Sequence, residues 1–199
     1  MSPSEVQTLT ELARKMSSRV HSDYSGRWCF FAGFAFILNG VKKRTRDIDV
    51  LTKDKAAYEH LIDIIQGIGF QLVSRTSDFS SFKMSAVDQG PSADLGLDLL
   101  CMTNPLLRNL DGIWVELETK SAKGTPLPIL RPIYLILLKI LVNSHRQPED
   151  KKSEQDLYDV KRLMARKRIT STQLIKEGKS QGLEDITQKF LDKLKSIRI

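Results

Sequence analysis

Apolar positions along this chain recur with two periods, and the change from one to the other divides it. Val6, Leu9, Leu12, Ala13 and Met16 repeat at helical spacing, which predicts an amphipathic helix over Glu5–Val20. His21–Arg27, rich in Ser, Asp and Gly, reads as a turn. Trp28–Phe31 has the pattern of a short buried strand, and Phe34–Asn39 that of a short helix stopped by Gly40. Asp47–Leu51 alternates polar and apolar residues, so a half-buried strand is expected there. Lys55–Gln66 predicts a second amphipathic helix, closed by Gly67 and Gly69. Strands are expected at Phe70–Ser74, Phe79–Val87 and Leu95–Met102, with a loop over Asp88–Ala93. A further strand is expected over Ile113–Thr119, with Val115 and Leu117 on one face and Glu116 and Glu118 on the other. Gly124–Pro132 carries three prolines and reads as a separator. Beyond it the period is helical throughout: Ile133–Ser144, Lys152–Arg166, Ser171–Lys176 and Leu183–Ile197.

This order predicts an α/β (α+β) fold: a mixed sheet flanked by helices over 1–130, then a helical C-terminal region over 131–199 that packs on it. With 199 residues and 41% hydrophobic content, the chain can fill one sizeable core. Cys29 and Cys101 lie in apolar runs without metal-ligand spacing, which suits buried free thiols in a reducing compartment. The polar start Met-Ser-Pro-Ser-Glu lacks an apolar leader core, so a cytoplasmic protein is expected. The longest apolar run, Ile133–Val142, contains Lys139 and is too short to span a bilayer, so no membrane partner is expected. A formal charge of +7 favours an anionic partner such as nucleotide or RNA.

Candidate chemistry centres on Asp47-Ile-Asp49. Residues i and i+2 of a strand share a face, so the two carboxylates would stand side by side and repel. A divalent cation relieves that repulsion, and magnesium takes hard oxygen ligands while keeping waters that a phosphate can replace. Ile48 and Val50 would face the core. An isolated Asp-x-Asp arises by chance about once in a chain of this composition. Here it follows a strand-Gly-helix unit and a basic run, which raises its weight. Asp98, alternating with leucines in Leu95-Gly-Leu-Asp-Leu-Leu100, is the candidate third carboxylate, since an aspartate in an apolar strand needs a partner. A solvent-facing strand position is the plain alternative. Glu116 is a weaker rival, and Asp94 falls in a loop.

Two segments carry a family resemblance: Phe31-Ala-Gly-Phe-Ala-Phe-Ile-Leu-Asn-Gly40, and Arg44-Thr-Arg-Asp-Ile-Asp-Val50. Together they resemble the minimal nucleotidyltransferases of the DNA polymerase β-like superfamily, which include antibiotic adenylyltransferases and nucleotidyltransferase toxins. The resemblance spans about 28–165, with its specific part around Asp49. It implies Mg2+ ligation by Asp47, Asp49 and Asp98, with Asp98 also helping to deprotonate the attacking hydroxyl. It implies nucleotide binding by Gly33, by the Arg44-Thr45 element and by Lys139. It further implies an NTP donor, ATP foremost, and a hydroxyl acceptor on a small molecule, a protein or an RNA. Lys139 could equally snorkel from a core helix. Asp156 and Asp159 resemble the family's later K-x-x-x-D-x-x-D helix, and a structural role is favoured for them. The family's Gly-Gly or Gly-Ser reads Ala32-Gly33-Phe34 here, so one phosphate contact is expected to be lost and Phe34 to crowd the site.

Two other classes compete: a nucleotidyltransferase-fold module that binds without turnover, and a basic nucleic-acid binder using Lys161–Arg168. That run spreads around a helix, which is the usual pattern of a solvated face. G-x-G-x-x-G and Walker motifs are lacking, and His21, His60 and His145 are scattered.

Overall fold

A computed structural model describes residues 3–195 apart from 43, 85–94, 105, 106, 108, 109, 115, 116, 148 and 149. The chain runs α1 (Pro3–Ser17), β1 (Trp28–Phe31), α2 (Ala32–Leu38), β2 (Asp47–Thr52), α3 (Lys55–Gly67), β3 (Gln71–Arg75), β4 (Phe79–Met84) and β5 (Leu95–Cys101). It continues with β6 (Glu118–Ala122), β7 (Thr125–Ile129), α4 (Pro132–Ser144), α5 (Lys151–Lys167), α6 (Ser171–Ser180) and α7 (Glu184–Lys195). The seven strands form one mixed sheet in the order β3-β4-β5-β2-β1-β7-β6.

The sheet centre is the most apolar part of the chain. Phe30, Val50, Leu51, Leu97 and Leu99 are fully buried, and β1 is buried along its whole length. β2 runs antiparallel to β1 and parallel to β5, with α3, β3 and β4 forming the crossover that a parallel pair requires. Asp54 starts α3 by accepting from the Ala57 N–H at 3.0 Å, and the Arg27 guanidinium grips the same carboxylate at 2.6 and 2.8 Å. α1 packs on β7, α3 on β2 and β5, and α4 contacts α2, α5, α6 and α7.

Several boundaries differ from those the sequence predicts. α2 begins at Ala32, two residues early, because Ala32 takes a left-handed conformation (φ 45°) that turns the chain straight from strand into helix. The strand expected over Ile113–Thr119 is instead a 3-10 turn at Asp111–Trp114, followed by β6 from Glu118. Val115 and Glu116 lie outside the described residues, as do Asp94 and the end of the strand expected to reach Val87. The proline-rich separator holds strand β7, paired with β6 along its length but with β1 only at Phe30↔Ile129. Pro126 and Pro128 have no N–H to donate, and α1 covers β7, with Ser17 Oγ donating to the Pro126 carbonyl at 2.6 Å. α6 passes through Gly178 to Ser180, longer than expected, because Gly178 faces Thr187 of α7 where a Cβ would collide.

Cys29 and Cys101 are free and buried, and burial pushes the Cys29 thiol well above its ordinary value. Among the described residues no helix is long and apolar enough to cross a membrane. His145 closes α4, and His60 stacks on Tyr24 with ring centres 4.2 Å apart.

Candidate active site

Strand register builds the site. Asp49 of β2 pairs across β1 with Phe31 and across β5 with Asp98, so two carboxylates stand opposite each other on neighbouring parallel strands. Asp47 lies two residues along β2 on the same face, at the exposed end of the strand. Ile48 and Val50 point the other way into the core, as the alternation predicts.

Three carboxylates in a patch are electrostatically costly, and the cost falls on Asp49. Burial, then the like charges of Asp98 and Asp47, push its carboxyl up to about 7. Two groups oppose this: the Gly33 N–H, which donates to Asp49 Oδ2 at 3.1 Å, and the more distant Lys139 ammonium. Burial also raises Asp98, opposed by a hydrogen bond from Ser81, its partner on β4, and reinforced by the Asp47 charge. Among the described residues none of the three forms an ion pair, and no three His, Cys, Asp or Glu side chains already close around one point as a metal-holding group. The donor set nonetheless suits a hard divalent cation: oxygen ligands only, with mutual repulsion that an ion would relieve.

The remaining predicted residues are placed as follows. Gly33 sits at the start of α2 against Thr45 and Asp49. A Cβ there would collide with Thr45 Oγ1 and lie 3.6 Å from Asp49 Oδ2, so the close approach requires glycine. Thr45 Oγ1 donates to the Asp47 carbonyl at 3.3 Å, closing the basic loop over that corner. Arg44 is exposed and, among the described residues, makes no ion pair. Lys139 does not point into open solvent. Its Nζ binds Asp156 Oδ1, lies 3.5 Å from Asp159 Oδ2, and stands 5.3 Å from the centre of the Phe36 ring in α2.

This site belongs to a fold already seen in solved structures. The chain is similar to an antigenic nucleotidyltransferase-like protein from Paracoccidioides brasiliensis, at 20% identity over 83% of this chain and 78% of that one, with a TM-score of 0.58. It is also similar to the antibiotic-resistance factor ANT(2'')-Ia in its solution structure, at 14% identity over 95% and 96% of the two chains, TM-score 0.57. The chain has the nucleotidyltransferase fold. ANT(2'')-Ia is also solved in complex with adenylyl-2''-tobramycin, and that structure matches 94% of this chain and 98% of its own at 12% identity and TM-score 0.57. No protein-family model matches the chain, and no curated protein is similar to it in sequence.

Within the nucleotidyltransferase fold, one expectation is corrected. Phe34 does not crowd the carboxylates. It is fully buried and meets Phe30 edge-on with ring centres 5.2 Å apart, because a residue two positions into α2 faces the core beneath the sheet edge. The local strain lies instead at Ala32, the left-handed residue before Gly33. Two neighbours of the site escaped the sequence reading. A Cβ on Gly96 would collide with the Asp47 carboxylate, and Ser81 bonds Asp98. A glycine inside an apolar strand was the available sign of the first. Ser81 gave none, since its meeting with Asp98 depends on strand pairing.

Proposed function

We propose that this chain is a metal-dependent nucleotidyltransferase that moves a nucleoside monophosphate from an NTP, ATP foremost, to a hydroxyl acceptor. The observation that carries this reading is the facing of Asp49 and Asp98 on parallel strands with Asp47 alongside, and with the Asp49 carboxyl raised to about 7 by burial and by the charges of its neighbours. Two magnesium ions held by Asp47, Asp49 and Asp98 would neutralise the triphosphate and polarise the phosphorus under attack. Asp98 takes the proton of the acceptor hydroxyl. The acceptor oxygen bonds the α-phosphorus, the bond from that phosphorus to its β-bridging oxygen breaks, and pyrophosphate leaves. Gly33 gives the triphosphate close access to the backbone at the sheet edge, while Arg44 and Thr45 hold it from the basic loop. Lys139 adds positive charge from the helical side. Residues 1–130 form the transferase core, and 131–199 form the helical wall behind Lys139.

The acceptor belongs to one of three classes: a small molecule, a protein or an RNA. The adenylylated aminoglycoside bound by ANT(2'')-Ia supports a small-molecule hydroxyl as the first to try. A second reading, a nucleotidyltransferase-fold module that binds nucleotide without turnover, is favoured by one observation: among the described residues no three ligands already close around an ion. Calorimetry with each of the four NTPs, with and without Mg2+, tests the site on wild type and Asp47→Ala/Asp49→Ala. Mg2+-dependent binding that the double change abolishes is the expected result. Absence of any NTP binding by folded wild type would sink the transferase reading. Binding without nucleotidyl transfer to any acceptor class would favour the module.

A further inference from the structure

A second basic feature lies away from the carboxylates. Where α4 begins and α5 gives way to α6, a cavity of about 370 Å³ is lined by Arg131, Lys167, Arg168 and Lys176, with Glu118 and Glu177 at its wall. Four cations against two carboxylates leave a net charge of +2 around one concavity. Both carboxylates have other partners: Glu118 lies 3.6 Å from Lys120, and Glu177 accepts a hydrogen bond from the Tyr134 hydroxyl at 2.9 Å.

The cations come from separate elements and converge by construction. Arg131 is the residue that starts α4, and α4 has no side-chain cap at that end, so its positive end adds to the local potential. Lys167 ends α5, and Arg168 follows in a left-handed conformation (φ 55°) that turns the chain around the cavity. Lys176 comes from α6, whose own N-terminus is closed by the Thr170/Gln173 capping box. Burial, followed by the neighbouring charges of Lys120 and Arg166, holds the Lys167 ammonium below its ordinary value despite the pull of Glu118. The basic run Lys161–Arg168, read from sequence as a solvated face, thus ends in a walled pocket.

The geometry points to an anion-binding site here, sized and charged for a phosphate group carried by a ligand other than the donor nucleotide. The cavity is within the usual size range of small-ligand sites. It shares no residue with the carboxylate site, so the inference stands apart from the proposed transfer. The sheet relates the two places. Ile129, two residues before Arg131, pairs with Phe30, and the next residue of β1, Phe31, pairs with Asp49. Cavity and carboxylates therefore lie at the same end of the inner strands, with β2 and β7 about 10 Å apart by strand spacing.

The test titrates inorganic phosphate, a 5′-phosphorylated RNA hexamer and the same hexamer without its phosphate into the full chain at low salt. Wild type, Arg168→Asn/Lys176→Glu and Asp47→Ala/Asp49→Ala are compared by calorimetry. Asn tolerates the left-handed backbone at 168, and both altered side chains are exposed, so circular dichroism should be unchanged. Phosphate is expected to bind wild type and the aspartate variant alike, and at least tenfold more weakly to Arg168→Asn/Lys176→Glu. Tighter binding of the phosphorylated hexamer than of phosphate would name a nucleic acid as the source. Equal binding would name a small phosphorylated ligand. No phosphate binding by wild type, or equal binding by the charge-changed pocket, overturns the inference. Survival of phosphate binding in the aspartate variant keeps this outcome separate from that of the carboxylate site.

Discussion

Two clusters of aspartates lie on either side of Lys139, and they solve the same electrostatic problem in opposite ways. Between α4 and α5, Asp156 and Asp159 are almost fully buried and surrounded by cations. Lys139 reaches both, Arg146 Nη1 lies 2.9 Å from Asp156 Oδ2, Lys42 Nζ lies 3.7 Å from Asp159 Oδ2, and the Gln155 amide donates to Asp159 at 2.9 Å. On the central strands, Asp47, Asp49 and Asp98 form no ion pair among the described residues and rely on one backbone N–H and one serine. The helical cluster is compensated within the chain and acts as a structural clamp. The sheet cluster leaves negative charge exposed to whatever cation arrives. The Lys139 field on Asp49 is how the clamp reaches the site.

The sharpest way to break this contrast is to remove one partner from the clamp. Asp156→Ala takes from Lys139 and Arg146 the carboxylate they share and leaves Lys139 only Asp159, so a loss of up to about 3 kcal/mol is expected, read as the shift of a urea-unfolding midpoint. A loss below about 1 kcal/mol would show that the clamp is not what holds α4 to α5.

The opposite sign is expected at the sheet carboxylates. An acid whose folded pKa is raised holds its proton more tightly when folded. Stability from Asp49 is therefore greatest below its unfolded value near 3.8 and falls as pH rises to about 7. The shift corresponds to about 4 kcal/mol at most, and partial exposure roughly halves it. In EDTA, Asp49→Asn should remove this slope and raise Tm at pH 8 by about 4–8 °C. A variant with a wild-type pH profile of Tm would remove the claim that Asp49 is under strain.

The smallest expected effect is at Gly96. A Cβ there would meet only the end of the Asp47 side chain, which can swing away, so Gly96→Ala should change stability by less than about 0.5 kcal/mol. It should still weaken the thermal stabilisation given by Mg2+, since Asp47 would be displaced. Unchanged Mg2+ stabilisation would show that the position of Asp47 against β5 is incidental.

Much of this is legible in the sequence alone. The alternation around Asp47-Ile-Asp49 sets which side chains share a face, because a strand has a fixed period of two. The helical periods of α1, α3, α5 and α7 likewise place their buried stripes, because burial selects one face of a regular helix. The identity of β7 was hidden, since two prolines argue against a strand, and its place is set by pairing with β6 and by the cover of α1. So was the fate of Phe34, which depends on the direction α2 takes after the left-handed Ala32.

Sequence by itself determined the central strands and the long helices, their buried faces and the pairing of Asp47 with Asp49, because these follow from local periodicity within a few residues. Only the tertiary structure decided that Asp98 lies opposite Asp49, that Gly96 yields its space to Asp47, and that Lys139 is claimed by Asp156 and Asp159. It alone gathered Arg131, Lys167, Arg168 and Lys176 around one cavity. Each of these is a meeting of residues far apart in the chain, set by strand register and helix packing, and no local pattern encodes it.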